Sequence, residues 1–429
     1  MGNLKGVQIQ RGKIGASIID NDDAVCGLLA TGVAVEADKD KGISGIGLGQ
    51  TVKLQGLADA AAYGIDADYD SDNSLAVYRH VSEFFRMCGE GNTLYLMLYP
   101  QTVKPDALFD TTYAKRMVAD AEGEIHNLAI AYTPSSADWG ESSYESFDKY
   151  VETMVPAAQM FYDWTFETFR PCQVIVEGRH FDAVNAATAL NLKAIKSGDA
   201  TIDAYKVSVC IGQDWVYANR FTDARLHMAD VGTMLGCLAA RSVNENIGWV
   251  QVGNIANAAK GIWTVAALSN HKTIADEDAE LESLDSKGYI FAIMYTGYAG
   301  FYWNNDWTCT TAVEDENGYF NEYTISYGRT VDKAVRRLRQ KYLPYVKSNV
   351  PVDSATGLLP KSMVALYEAY GDEVFEKMQT EAEITQGKTT VDASSNLLIE
   401  PRELKVGFVV VPTGQVNAIK GTINLKTSV

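Results

Sequence analysis

The sequence predicts an α/β fold: a mostly parallel sheet core with flanking helices, followed by an α+β region and extended terminal strands. Three observations carry that expectation. Short apolar runs without polar alternation recur at Thr93–Tyr99, Ile125–Tyr132, Cys172–Val176 and Lys206–Ile211, which is how strands buried on both faces read. Stretches with helical spacing separate them. Proline or glycine closes several of the runs, at Pro100, Pro134 and Gly178. Strands alternating with helices of about ten or more residues imply βαβ crossovers and parallel neighbours.

In chain order, Val7-Gln8-Ile9-Gln10 alternates between flanking glycines and reads as one isolated strand. Ala24–Ala34 is an apolar, glycine-punctuated run. Leu75, Tyr78, Val81 and Phe85 place Leu75–Met87 on a helix. Helices are then expected over Glu141–Phe169, Phe181–Leu192 and Thr222–Arg241, between the runs named above. An acidic stretch, Ala275–Ser286, interrupts the rhythm as a solvated loop or linker. Beyond it, Gly288–Trp303 is apolar and aromatic, and Tyr319–Ser326 alternates with a strand period. Helices are expected over Arg329–Lys347 and Lys361–Met378, and strands over Glu403–Val411 and Val416–Lys426, split by Pro412-Thr413-Gly414. The expected division is an arm at 1–20, an α/β core at 21–272, a second domain at 273–412 and an arm at 413–429.

Composition narrows the function classes. The 429 residues are 47% apolar with a formal net charge of −18. Such acidity argues against nucleic acid, which needs a cationic face, and against an anionic membrane surface. The start shows no signal-peptide pattern, and no apolar stretch is long enough to span a bilayer, so assembly in the cytoplasm is expected. The six cysteines show no C-x-x-C spacing and read as buried thiols of a reducing compartment.

Catalytic, cofactor and metal motifs fail residue by residue. Gly42–Gly49 resembles a phosphate loop, but the strand-like Thr51-Val52-Lys53-Leu54 follows it instead of a helix, and no Gly-Lys-Ser/Thr closes it. Asp66, Asp68, Asp70 and Asp72 alternate as in a calcium loop, yet Ser71 replaces the required glycine and Val77 the closing glutamate. There is no G-x-S-x-G and no H-E-x-x-H. The five histidines are scattered, although spacing alone does not exclude a triad assembled in space. No catalytic, cofactor-binding or metal-binding residue is assigned, and a non-enzymatic protein is expected. An α/β enzyme, a hydrolase or nucleotide-dependent protein, is the alternative.

Two features point to assembly. Arg329, Lys333, Arg336 and Arg337 lie on a basic helix in an acidic chain, opposite an apolar stripe of Val331, Val335, Leu338 and Tyr342. A solvated face is one reading, and a docking surface for acidic copies of the same chain is the other. In Val416–Lys426, Ile419, Ile423 and Leu425 alternate with polar residues. Such a strand pairs within its own domain or adds to another chain's sheet edge.

At these residues the chain resembles the contractile tail sheath proteins of phage tails, R-type pyocins and contractile injection systems. The matching segments are Gly288–Phe291 with Gly300–Cys309, including Asn304-Asn305-Asp306-Trp307-Thr308, and Tyr323–Ala334, with its Gly328-Arg329-x-x-Asp332-Lys333-Ala334 pattern. The pair Leu404–Val411 and Val416–Leu425, and the N-terminal Cys26–Gly32 and Leu57–Gly64, also match. The resemblance implies a subtilisin-like core, a C-terminal sheath domain, and arms that lend strands to neighbouring subunits, here through Val7, Ile9, Ile419, Ile423 and Leu425. It implies a structural subunit that polymerises helically around an inner tube and contracts to drive it through a target envelope. The partners implied are copies of itself, the inner tube protein, and baseplate and terminator proteins, in a virion tail or contractile particle. It also implies that a helix of the C-terminal domain grips the tube. Arg329–Lys347 is accordingly expected at sheath contacts, and Lys361–Met378, through Glu368, Asp372, Glu373 and Glu376, at the tube.

Overall fold

The computed structural model describes residues 22–134, 148–181, 187–197, 200–399, 402–423 and 425. The expected strand at Val7 and Ile9 lies outside them. The chain forms two compact units, one ending at Asp332 and one running from Lys333 to Val429.

The first unit is the predicted α/β fold. Seven strands form one sheet: β1 (Cys26–Thr31), β2 (Thr51–Leu54), β3 (Leu94–Tyr99), β4 (Asn127–Ala131), β5 (Gln173–Glu177), β6 (Val207–Cys210) and β7 (Tyr289–Ile290). Their spatial order is β7-β6-β5-β4-β1-β3-β2. Every pairing is parallel except β2 with β3. The strand β7 explains why the unit extends past the expected boundary at 272: Tyr289 and Ile290 pair with Val209 and Cys210.

Successive residues of each strand serve two cores. Leu28, Leu96, Ala129 and Ile175 face one, packed with helices α1 (Val77–Cys88) and α3 (Val231–Ala239). Leu29, Met97, Ile130 and Val174 face the other, with helix α2 (Asp148–Glu167). Burial on both faces is why these strands read as continuous apolar runs. Helices α1 and α3 approach closely through Gly232 and Gly236. A Cβ on Gly232 would lie 2.4 Å from the His80 carbonyl oxygen, and one on Gly236 2.6 Å from that of Phe84.

Several expected elements form differently. In the described part of 181–192 there is no α-helix, only the start of a 3-10 turn at Leu192–Ala194. The expected helix over 222–241 is a short 3-10 turn at Ala224–His227 followed by α3. The 319–326 stretch is not a strand, because helix α4 (Ile325–Tyr342) begins inside it. The reason is a cap from elsewhere in the chain: the Asp306 carbonyl accepts from Ile325 N at 2.8 Å, and its carboxylate accepts from Ser326 N at 2.9 Å.

In the second unit, helix α5 (Lys361–Thr380) packs on a two-stranded antiparallel sheet of β8 (Ile384–Val391) and β9 (Val406–Pro412). Strand β8 went unpredicted because its sequence, ITQGKTTV, is mostly polar. Its β-branched Ile384, Thr385, Thr389, Thr390 and Val391 are the signal that was there. The strand expected over 416–426 does not form in the described residues: 413–423 carries no regular structure. No helix among the described residues is long and apolar enough to cross a membrane.

Candidate functional site: assembly surfaces

The acidic loop resembling a calcium site is a helix junction. Asp66 caps the helix Ala67–Asn73, accepting from Tyr69 N at 2.9 Å. Asp70 is buried and accepts from Tyr78 N and Arg79 N at 3.0 and 2.9 Å, at the start of α1. No group of three or more metal-ligating residues occurs among the described residues.

Burial holds the His80 imidazole down to about 3, with the charges of Arg179 and Arg79 adding to it. His180 and His227 touch edge-on with ring centres 4.4 Å apart. His227 Nδ1 lies 3.1 Å from the Ser269 carbonyl, not its hydroxyl, and that hydroxyl donates to the Gly178 carbonyl at 2.5 Å. Five of the six cysteines are buried, all are unlinked, and burial raises the Cys237 thiol to about 11.

Helix α4 carries the basic residues expected at a contact surface. Arg329 is buried, and its guanidinium donates to the carbonyls of Arg241 and Ser242 at 3.2 and 3.3 Å, just past the end of α3. That is where a cation complements the helix dipole. Gly328 sits against β5 and β6: a Cβ there would meet Gln173 Oε1 at 3.0 Å and Lys206 Nζ at 3.3 Å. Lys206, fully buried, donates to the Gly328 carbonyl at 2.9 Å and to Asp332 at 2.8 Å, and pairs with Glu322. Burial alone would favour the neutral amine, but the carboxylates of Asp332 and Glu322 hold the Lys206 pKa above the usual lysine value. Tyr162 donates to Asp332 at 2.7 Å.

The rest of α4 is equally occupied. Lys333 is buried and pairs with Glu383. Arg337 bonds Glu381 at 2.6 Å, and Lys341 bonds Glu373 at 2.5 Å. The expected exposed basic face is therefore corrected. Arg329 and Lys333 are interior residues, Arg336 is half-buried, and Arg337 is already paired with Glu381. Helical periodicity separates a polar from an apolar face, but it does not show that Glu381 and Glu383 fold back to cover the polar one.

Helix α5 shows the same effect. Glu368 and Asp372 were expected to face a tube. Instead they accept from the backbone of β8, Glu368 from Val391 N at 3.1 Å and Asp372 from Thr389 N at 2.8 Å. Glu373 is exposed and paired with Lys341, and Glu376 is exposed. The buried stripe is Tyr367, Gly371, Val374, Phe375 and Met378, and Leu366, beside it on the helix, is 41% exposed.

What stays open is the other side of the sheet. Strand β9 pairs with β8 alone among the described residues, so its outer edge has no strand neighbour. Phe408, Val409 and Val411 on it are exposed. Directly after it, Ile419, Ile423 and Leu425 are 92%, 95% and 99% exposed.

Sequence profiles recognise both parts of the chain. The profile described as "DUF2586, N-terminal domain" matches residues 6–306, and the one described as "DUF2586, C-terminal domain" matches residues 323–429. No curated protein matches. Among solved structures, a chain of the "Cryo-EM structure of the anti-feeding prophage (AFP) baseplate, 6-fold symmetrised" is similar, with a TM-score of 0.58 at 13% identity over 100% of both chains. At that identity the likeness is one of fold. With the two profiles together spanning nearly its whole length, the chain belongs to the DUF2586 family.

Proposed function

We propose that this protein is a structural subunit of a contractile tail sheath, polymerising helically around an inner tube and contracting to drive it through a target envelope. The observation that carries the reading is the pairing of an open sheet edge with an exposed, alternating segment in one chain. The β8 edge is partly closed by Glu368 and Asp372, whereas the outer edge of β9 has no strand beside it among the described residues. The 413–425 segment holds its isoleucines in solvent, where a monomer gains nothing from them. Strand addition between copies resolves both at once. Each backbone bond contributes about 0.5–1.5 kcal/mol net, and repetition over a lattice multiplies it. The N-terminal 1–20 segment is proposed to act likewise through Val7 and Ile9.

The fold likeness to a chain of an anti-feeding prophage baseplate structure supports placing the protein in a contractile particle. It also favours a second reading, a structural component of the baseplate region instead of the sleeve. In either reading the chain works as a scaffold without catalysis or cofactor. It assembles in the cytoplasm and meets copies of itself, tube, baseplate and terminator proteins. Negative-stain microscopy of the purified protein tests this. Striated tubes are expected, and they should vanish when residues 413–429 are deleted while the monomer stays folded. Discrete particles that never polymerise, with or without a tube protein, would overturn the sheath reading.

A further inference from the structure

Between Thr311 and Asn321 the chain turns back on itself. Asp315 N bonds the Tyr319 carbonyl at 2.8 Å and Asn321 N that of Val313 at 3.2 Å, while the Asp315 carboxylate accepts from Asn317 N and Tyr319 N. This hairpin forms one wall of a cleft of about 520 Å³, and Ile202, Asp203 and Lys193 line the rest with Thr310. Tyr319 and Phe320 line it too, yet remain 58% and 46% exposed. Phe320 is held by Tyr327 and Tyr323, with ring centres 5.5 and 6.4 Å away. Lys193, which also lines the cleft, holds its ammonium 4.0 Å over the Trp307 ring.

Aromatic faces beside Asp203 and Asp315, with Glu314 and Glu316 on the same hairpin, recognise one chemistry: a cation on an apolar stem. The chain itself carries such a group in the right setting. From Leu404 to Val429 it has three lysines, Lys405, Lys420 and Lys426, and no Asp or Glu, although the whole protein bears a net charge of −18. Lys420 lies between the almost fully exposed Ile419 and Ile423. Fully extended, the eight residues from Pro412 to Lys420 reach about 25 Å.

We propose that this cleft binds Lys420 from the 413–425 segment of a second copy. The inference rests on the self-association reading above, but not on strand pairing. It adds a side-chain socket in the first unit to the backbone edge in the second.

The test uses the full chain with a photo-cross-linking residue at Ala418, leaving Lys420 intact, in a mixture of isotopically light and heavy copies. Light–heavy cross-links to 310–321 or 201–203 are expected. A fluorescent peptide of residues 413–429 should bind the full chain, and Tyr319→Ser or Asp203→Asn should each weaken it about tenfold, as should Lys420→Gln in the peptide. Tyr319 is exposed, and Asn retains an acceptor for Thr310, so neither variant disturbs the core. Cross-links confined to one copy, cross-links only to β8 and β9, or unchanged affinity in the variants would overturn the proposal. Cross-links at the cleft without tubes would sink the sheath reading alone, and tubes without those cross-links would sink the cleft alone.

Discussion

Helix α4 and the 413–425 segment invite the same reading from sequence, since each presents a face with no obvious partner. In the folded chain they part. The cations of α4 find carboxylates and carbonyls of their own chain, and beneath it the fully buried Lys206 pairs with the buried Asp332 and the partly exposed Glu322. The apolar positions of 413–425 find no cover among the described residues, and Ile419 and Ile423 stand 92% and 95% exposed. The contrast teaches that unmatched charge on a helix is a weak sign of an interface, because acidic residues distant in sequence can satisfy it. Unmatched apolar alternation is a stronger sign, because no water contact compensates it.

The largest expected effect breaks the comparison on the α4 side. Lys206→Met leaves Asp332 and Glu322 without their cation and should cost about 3–5 kcal/mol in denaturant unfolding, typical of a buried pair stripped of one partner. A loss under about 1 kcal/mol would mean that the group is not buried as described.

Acid should act next. His80 titrates in the fold at about 3, pushed down mainly by burial, against an ordinary value of 6.5. Its stabilising contribution is therefore complete above about pH 6.5 and is lost as pH falls toward the folded value, on the order of 3 kcal/mol by pH 4. Stability measured against pH should show this slope, and His80→Gln should flatten it whatever its effect at neutral pH.

Packing in the second unit gives a smaller effect. A Cβ at Gly371 would stand 2.2 Å from Thr389 Oγ1 and 2.9 Å from Tyr342 Oη. Gly371→Ala should therefore cost about 1–3 kcal/mol by overpacking. Equal stability to the parent protein would show that α5 can lift from β8 without penalty.

The sharpest form of the comparison predicts almost no change in stability. Lys341→Ala removes a pair whose glutamate is largely exposed and should cost at most about 1 kcal/mol. Deleting residues 413–429 should cost about as little, since the exposed Val416, Ile419, Ile423 and Leu425 contribute little to folding. The two should nevertheless diverge in polymerisation, read by sedimentation: the deletion abolishes it and Lys341→Ala does not.

Some of this was determined by the sequence alone. The parallel sheet was legible because strands buried on both faces must be apolar at every position, as Leu94–Tyr99 and Gln173–Glu177 largely are. The approximate extents of α4, α5 and β9 were legible from periodicity and from Pro412. Other features were decided only in three dimensions. Asp306 sets where α4 begins, Lys206 and Glu383 bury its charges, and Glu368 and Asp372 turn inward onto β8. Each of these is a polar contact between residues distant in sequence or on different elements. Local spacing records which face of an element is polar, but the partner that satisfies that face is chosen by the packing of the whole unit.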